Sequence, residues 1–240
     1  LRAVFTGILA DFCVLPSEFA GLGVPWVNIE TAFDKRIPLV MNGVKSTGYS
    51  YIAGGVGKLV EAMADKIRSH GGRIITGKAV EKILVEDGKA AGVRLEGGGI
   101  DCADLILASG GAKETFCRLV GKEHLTEEYM EKVECFHPMD SVFMVHLGVD
   151  FNPLKHQPAG LCYYYHTYDI EGAVLRCRNG FYHEGEEGFL IYIPSAHSPD
   201  MAPEGRHAIT IYTIAPNELP EGGWEEKGAY YAEKLIQKAE

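Results

Sequence analysis

The 240-residue chain has no basic excess: 23 Lys and Arg stand against 33 Asp and Glu, for a net charge of −10. A general nucleic-acid binder needs a basic face to displace counterions from phosphates, so the balance argues against that class. No apolar run approaches the roughly 20 residues of a membrane-spanning helix. The opening stretch LRAVFTGILADFCV is apolar but has neither a basic leader nor a cleavage site. Cysteine pairs are missing as well. The six cysteines (Cys13, Cys102, Cys117, Cys135, Cys162, Cys177) include no CxxC, which points to dispersed thiols in a cytoplasmic protein rather than to a disulfide scaffold. The nine histidines form no HxxxH or HExxH, so no metal site is expected. The cluster His183-Glu184-Gly185-Glu186-Glu187 reads as a solvated acidic loop.

A phosphate-binding loop is the next absence. The stretch IAGGVGKLV, Ile52 to Val60, has the look of one. A P-loop, G-x-x-x-x-G-K-[ST], would require glycine at Ile52 and a hydroxyl at Leu59. A dinucleotide fingerprint, G-x-G-x-x-G, would require glycine at Val60 after a buried strand. Both tests fail. The glycines can instead serve close approach of backbone to another segment or to a flat ligand.

What is present falls into three stretches. Residues 1–50 are broken by Gly and Pro, with helical spacing at Val4, Ile8 and Leu9. In 51–112, Leu59, Val60, Met63, Ala64 and Ile67 share one helical face, closed by Gly71-Gly72. A short strand follows at Arg73 to Thr76. KAVEKILVE and KAAGVRLE then flank Asp87-Gly88, a hairpin signature. Gly97-Gly98-Gly99 leads to Leu105-Ile106-Leu107-Ala108, which has the pattern of a fully buried strand. In 113–240, helices are expected at 113–120, at 126–134 and from Trp224 or Glu225. Between them lie the strand-like runs SVFMVHLGV, LCYYYHTY, FLIYI and HAITIYTIA, which suggest an antiparallel sheet covered by helices. The chain opens on Leu1 and stops within the helical pattern AEKLIQKAE, which reads as a piece of a longer protein.

The order of these features resembles the phytoene dehydrogenase group of flavoproteins, which includes carotenoid desaturases, carotenoid isomerases and retinol saturases. One block of carriers is Tyr51, Gly54, Gly55, Leu59, Gly71, Gly72, Ile74, Val80, Ile83, Gly92, Val93, Ala103, Asp104 and Ser109. A second block runs from Tyr163-Tyr164-Tyr165-His166-Thr167-Tyr168-Asp169 through Ile193-Pro194-Ser195-Ala196 and Pro199 to Pro203-Glu204-Gly205. The resemblance covers roughly 51–240.

That resemblance implies a fold of α/β plus antiparallel β. Residues 51–112 would be the middle segment of a discontinuous Rossmann-type FAD domain, and 1–50 with 113–240 would be a mixed α+β substrate domain with an antiparallel sheet. It implies FAD in the longer protein and little or none on this chain by itself. Val80 would meet the adenine edge through its backbone, Ser109 and Gly110 would run close to the cofactor, and Gly54 and Gly55 would lie near the flavin ring. At Ser109-Gly110-Gly111 the sequence is closer to fumarate-reductase-type flavoproteins. The implied substrate is an elongated apolar polyene or isoprenoid, desaturated, saturated or isomerised. Flavin carries the redox chemistry, so no catalytic side chain is nominated. A peripheral membrane contact of the longer protein and self-association through an exposed sheet edge in 73–108 are further expectations. Two other readings stay open: a non-catalytic substrate- or partner-binding module, and an amine-oxidase-like FAD oxidase.

Overall fold

The computed structural model describes Leu15, Glu18 and residues 39–41, 44–46, 52–136, 138–157 and 159–240. The helical spacing expected at Val4 to Leu9 lies outside the described residues. The chain divides into two compact units, Leu1–Met63 with Met139–Glu240, and Ala64–Pro138. The division falls inside helix α1 (Val56–Ser69). A short hairpin, β1 (Leu39–Met41) and β2 (Val44–Ser46), precedes it.

Helix α1 ends where the glycines require. Gly71 adopts φ +78°, and the N–H groups of Gly71 and Gly72 return to the carbonyls of Arg68 and Ile67, both at 3.0 Å. These are the paired bonds of a left-handed helix stop. The apolar stripe of α1 is not buried: Leu59, Val60, Met63 and Ile67 are all exposed.

The unit Ala64–Pro138 is built on a three-stranded antiparallel meander, β3 (Val80–Glu86), β4 (Lys89–Leu95) and β5 (Ile100–Cys102). Asp87 and Gly88 take φ +48° and +74°, the pair of positive values that a two-residue hairpin turn demands. Gly92 is needed for a different reason. A Cβ there would lie 2.6 Å from the Asp101 carbonyl on β5, so only glycine lets the strands approach. Two helices complete the unit: α2 (Glu114–Gly121), wound as a π-helix, and α3 (Glu127–Glu134). Thr126 caps α3 by accepting the Tyr129 N–H at 3.3 Å, with Glu127 and Glu128 in the first turn.

Two expected strands are absent. Residues 73–76 and 105–108 form no strand. The 105–108 run is also not buried, since Leu105 is 74% and Leu107 88% exposed. An apolar run becomes a buried strand only by pairing its backbone with neighbours and covering its faces. No described strand pairs with either run.

The second unit centres on a four-stranded antiparallel sheet in the order β6-β9-β8-β7. Its strands are β6 (Ser141–Val149), β7 (Leu161–Tyr165), β8 (Gly188–Tyr192) and β9 (His207–Ala215). β6 and β9 pair along their full nine residues, from Ser141 opposite Ala215 to Val149 opposite His207. The last helix, α5 (Trp224–Ala239), covers one face with Leu235, which is fully buried among Val145, Phe189, Ile209 and Ile211. At one end of this face Trp224 stacks on Phe143, ring centroids 5.2 Å apart, and meets Tyr182 and Tyr231 edge-on or tilted. Helix α4 (Ile170–Arg178), which the sequence reading did not foresee, places Val174 and Cys177 against Ile214 on the other face. Among the described residues no helix is long and apolar enough to cross a membrane.

Candidate functional site

None of the four strands β6–β9 contains Asp, Glu, Lys or Arg. An antiparallel sheet with one face in the core alternates apolar-in and polar-out, and its outer face normally carries charge. Here the face away from α5 is aromatic and uncharged. Pairing aligns Met144, Tyr212, Leu190 and Tyr163 in one row across all four strands. The next row is His146, Thr210, Tyr192 and Leu161. Helix α4 covers part of this face, near Ile214 and Leu190, while Met144 is 44% and Tyr165 39% exposed. Tyr163 and Tyr165 stack with ring planes 12° apart and centroids at 6.0 Å. Tyr164 points to the opposite face, where it stacks on Phe189, as strand alternation requires. Between α4 and the sheet, Tyr163, Tyr165, Ile170, Leu190 and Tyr212 line a cavity of about 40 Å³.

A polar network borders this cavity, and the sequence reading missed it. His183, read as part of a solvated loop, is only 4% exposed. Its Nδ1 accepts the Glu187 N–H at 3.4 Å, and its Nε2 lies 3.3 Å from Thr213 Oγ1. Thr213 in turn donates to the Gly188 carbonyl at 2.7 Å. That chain of donors puts the single imidazole proton on Nε2, and burial holds the histidine below its usual pKa range. Arg176 of α4 donates to Glu187 Oε1 through Nε at 2.8 Å. The buried Oε2 has no partner among the described residues. The acidic loop is tied down at Glu184 and Glu186, which pair with Lys234 and Lys238 of α5 at 2.7 and 2.6 Å. Among the described residues no three His, Cys, Asp or Glu side chains converge as a metal would need.

The glycine turn has a structural partner. Gly54 and Gly55 adopt φ +78° and +83°, and the Gly55 N–H closes a turn on the Ile52 carbonyl at 2.8 Å. The Gly54 N–H donates to Ser198 Oγ at 3.1 Å. A Cβ on Gly55 would touch the Met201 methyl at 3.0 Å. The turn is thus seated on the segment Ser198 to Met201, within the same unit.

Val80, Ser109 and Gly110 belong to the other unit. Val80 begins β3, which is an edge strand. The Glu96 N–H bonds to the Ala79 carbonyl across the Val80–Leu95 pair. Adjacent residues of a strand direct their backbone groups to opposite sides, so the Val80 N–H and C=O face the open edge. A donor and an acceptor side by side on a free edge are what an adenine edge requires. Ser109 and Gly110 are exposed in the loop between β5 and α2. Glycine is not demanded there, because a Cβ on Gly110 would come no closer than 3.7 Å to Thr115 Oγ1.

No family model matches the chain. Curated proteins do. Prolycopene isomerase 2 of an Oncidium hybrid cultivar, a chloroplastic protein, is 27% identical over 232 residues, covering 95% of this chain and 36% of its own length. The zeta-carotene-forming phytoene desaturase of Myxococcus xanthus is 26% identical over 80% of this chain and 36% of its own length. A pyridine nucleotide-disulfide oxidoreductase domain-containing protein of Rattus norvegicus is 28% identical over 78% of this chain and 35% of its own. The chain therefore spans little more than a third of the length of these relatives. The crystal structure of an oxidoreductase from Methanosarcina mazei shares the fold over 78% of this chain and 38% of its own, with a TM-score of 0.52 at 22% identity. Over most of its length the chain is similar to carotenoid isomerases and phytoene desaturases, the group that its motifs resemble.

Proposed function

We propose that the chain is part of a flavin-dependent oxidoreductase whose elongated apolar substrate, a polyene or isoprenoid, lies on the uncharged face of the β6–β9 sheet. The observation that carries this reading is a partly open sheet face with aromatic rows and no formal charge in any of its four strands. Such a face offers stacking and dispersion to a flat hydrocarbon and no desolvated charge to oppose it. The similarity to proteins named for prolycopene and phytoene supports the substrate class.

Within the Rossmann-type, discontinuous FAD domain that this reading entails, the open-edge backbone of Val80 would hold the adenine. Ser109 and Gly110 would pass close to the cofactor. When bound, the flavin supplies a two-electron acceptor or donor for desaturation, saturation or isomerisation. The side chains of this chain bind and orient the substrate and exclude water from it. No G-x-G-x-x-G occurs within the 240 residues, so the chain expressed alone is expected to act as a binding module without flavin.

The test is a titration of the 240-residue chain with a C40 polyene in detergent, followed by the polyene absorption band. Saturable binding is expected, weakened about tenfold or more in Tyr212→Ala, since stacking of an aromatic ring contributes about 1 kcal/mol beyond its area. Absence of saturable binding, or equal binding by the variant, would overturn the reading.

A further inference from the structure

We propose that His146 is the acid–base group of this sheet face, its Nε2 exchanging a proton with the substrate. The inference rests on the functional reading above and adds a catalytic residue to it. Directly opposite Thr210 in the β6–β9 pairing, His146 is exposed. Its Nδ1 lies 2.9 Å from Thr210 Oγ1. That bond fixes the ring at one nitrogen and leaves Nε2 for a ligand. Met144 precedes it by two positions on the same face, and Tyr192 follows Thr210 in the same row.

The face is otherwise poor in proton chemistry. Its strands carry no carboxylate and no ammonium or guanidinium group, and its phenols are weak acids. Imidazole is the side chain that both accepts and donates a proton near neutral pH. Hydride transfer alone would leave a carbocation on the polyene, so a base is required to finish a desaturation. In that direction one C–H bond would break with its electron pair leaving as hydride, for which flavin, when bound, would supply the two-electron acceptor. The neighbouring C–H bond then breaks, its pair becomes the new C=C, and its proton passes to Nε2. Saturation is the reverse, with the imidazolium giving the proton back.

The experiment has two arms. In the first, the 240-residue chain is treated with diethyl pyrocarbonate with and without a bound C40 polyene, and carbethoxylation is mapped by peptide mass spectrometry. Protection of His146 by at least fivefold is expected, with exposed His70 reacting equally in both samples. In the second, the flavin-loaded longer enzyme is made with His146→Gln and with Thr210→Val. His146→Gln should lower turnover by about 10²–10⁴-fold, the usual contribution of a positioned acid or base, while the polyene dissociation constant changes less than twofold. Thr210→Val should lower turnover less, by misorienting the ring. Saturable polyene binding without protection of His146, or full turnover in His146→Gln, overturns the proposal and leaves the functional reading standing. No polyene binding at all overturns both.

Discussion

At the level of single residues, burial and backbone direction decide what the chain's polar groups can do. His183 is the clearest case. Its neutral form is favoured in the folded state by desolvation, with Glu187 and Glu186 opposing that shift and Arg176 adding to it. A histidine whose folded pKa is lowered binds its proton more readily when unfolded, near a pKa of about 6.5. Its contribution to stability is therefore present above that value and is lost as pH falls below it. Urea midpoints should drop between about pH 7.5 and about pH 5.5, and His183→Gln should flatten that slope; an unchanged slope would exclude the histidine as its source. Val80 is a backbone case. Because its N–H faces away from β4, Val80→Pro removes a donor without taking a bond from the ladder. In the flavin-containing enzyme this variant should keep its circular dichroism yet bind FAD about two- to tenfold more weakly, as loss of one hydrogen bond predicts, while Val80→Ile binds normally. Equal flavin content in both variants would rule out the adenine contact.

At the level of elements, legibility followed locality. Asp87-Gly88 and Gly71-Gly72 announced a hairpin and a helix stop because positive φ is a property of one or two residues. The four strands of the main sheet were legible from alternation and β-branched or aromatic content. Helix α4 was not. It has only nine residues, with Gly172 in its first turn, and it follows the aromatic run that ends at Tyr168. Its start depends on Asp169 accepting the Gly172 N–H at 3.1 Å. The run 105–108 misled for the opposite reason, since an apolar string specifies burial but cannot supply the strands beside it. The His183–Thr213 bond joins residues 30 apart in sequence, and no local pattern encodes it. Gly92 offers a test at this scale. A methyl group at this position must push β5 from β4, so Gly92→Ala should destabilise by about 1–3 kcal/mol in urea unfolding. Gly148→Ala, a change at a strand glycine of β6 with ordinary backbone and open space beside it, is the control for packing. Equal losses in the two variants would show that the close approach of β4 and β5 is not what selects glycine.

For the whole molecule, the exposed apolar residues set the expectations. Leu105 and Leu107 project from a run that pairs with no described strand, and Ile74 and Ile75 from another. Unpaired extended backbone with apolar side chains invites a strand from another chain. The chain should therefore self-associate in light scattering, and the double variant Leu105→Lys, Leu107→Lys should return it toward monomer. A clean monomer of the unaltered chain at high concentration would contradict this. On the β6–β9 face, where β6 and β7 are themselves edge strands, the exposed groups include the uncharged side chains of Met144 and Tyr165. Uncharged side chains of this kind suit a small apolar ligand, and that is the assignment made above.

The most direct test of that assignment is photochemical. A C40 polyene carrying a diazirine, irradiated with the chain and mapped by peptide mass spectrometry, should label Met144, Tyr163 and Tyr212, which lie in one row of the open face. Competition by unlabelled polyene should remove that labelling. Labelling concentrated on Leu105 and Leu107, or spread without saturation over the chain, would contradict the account.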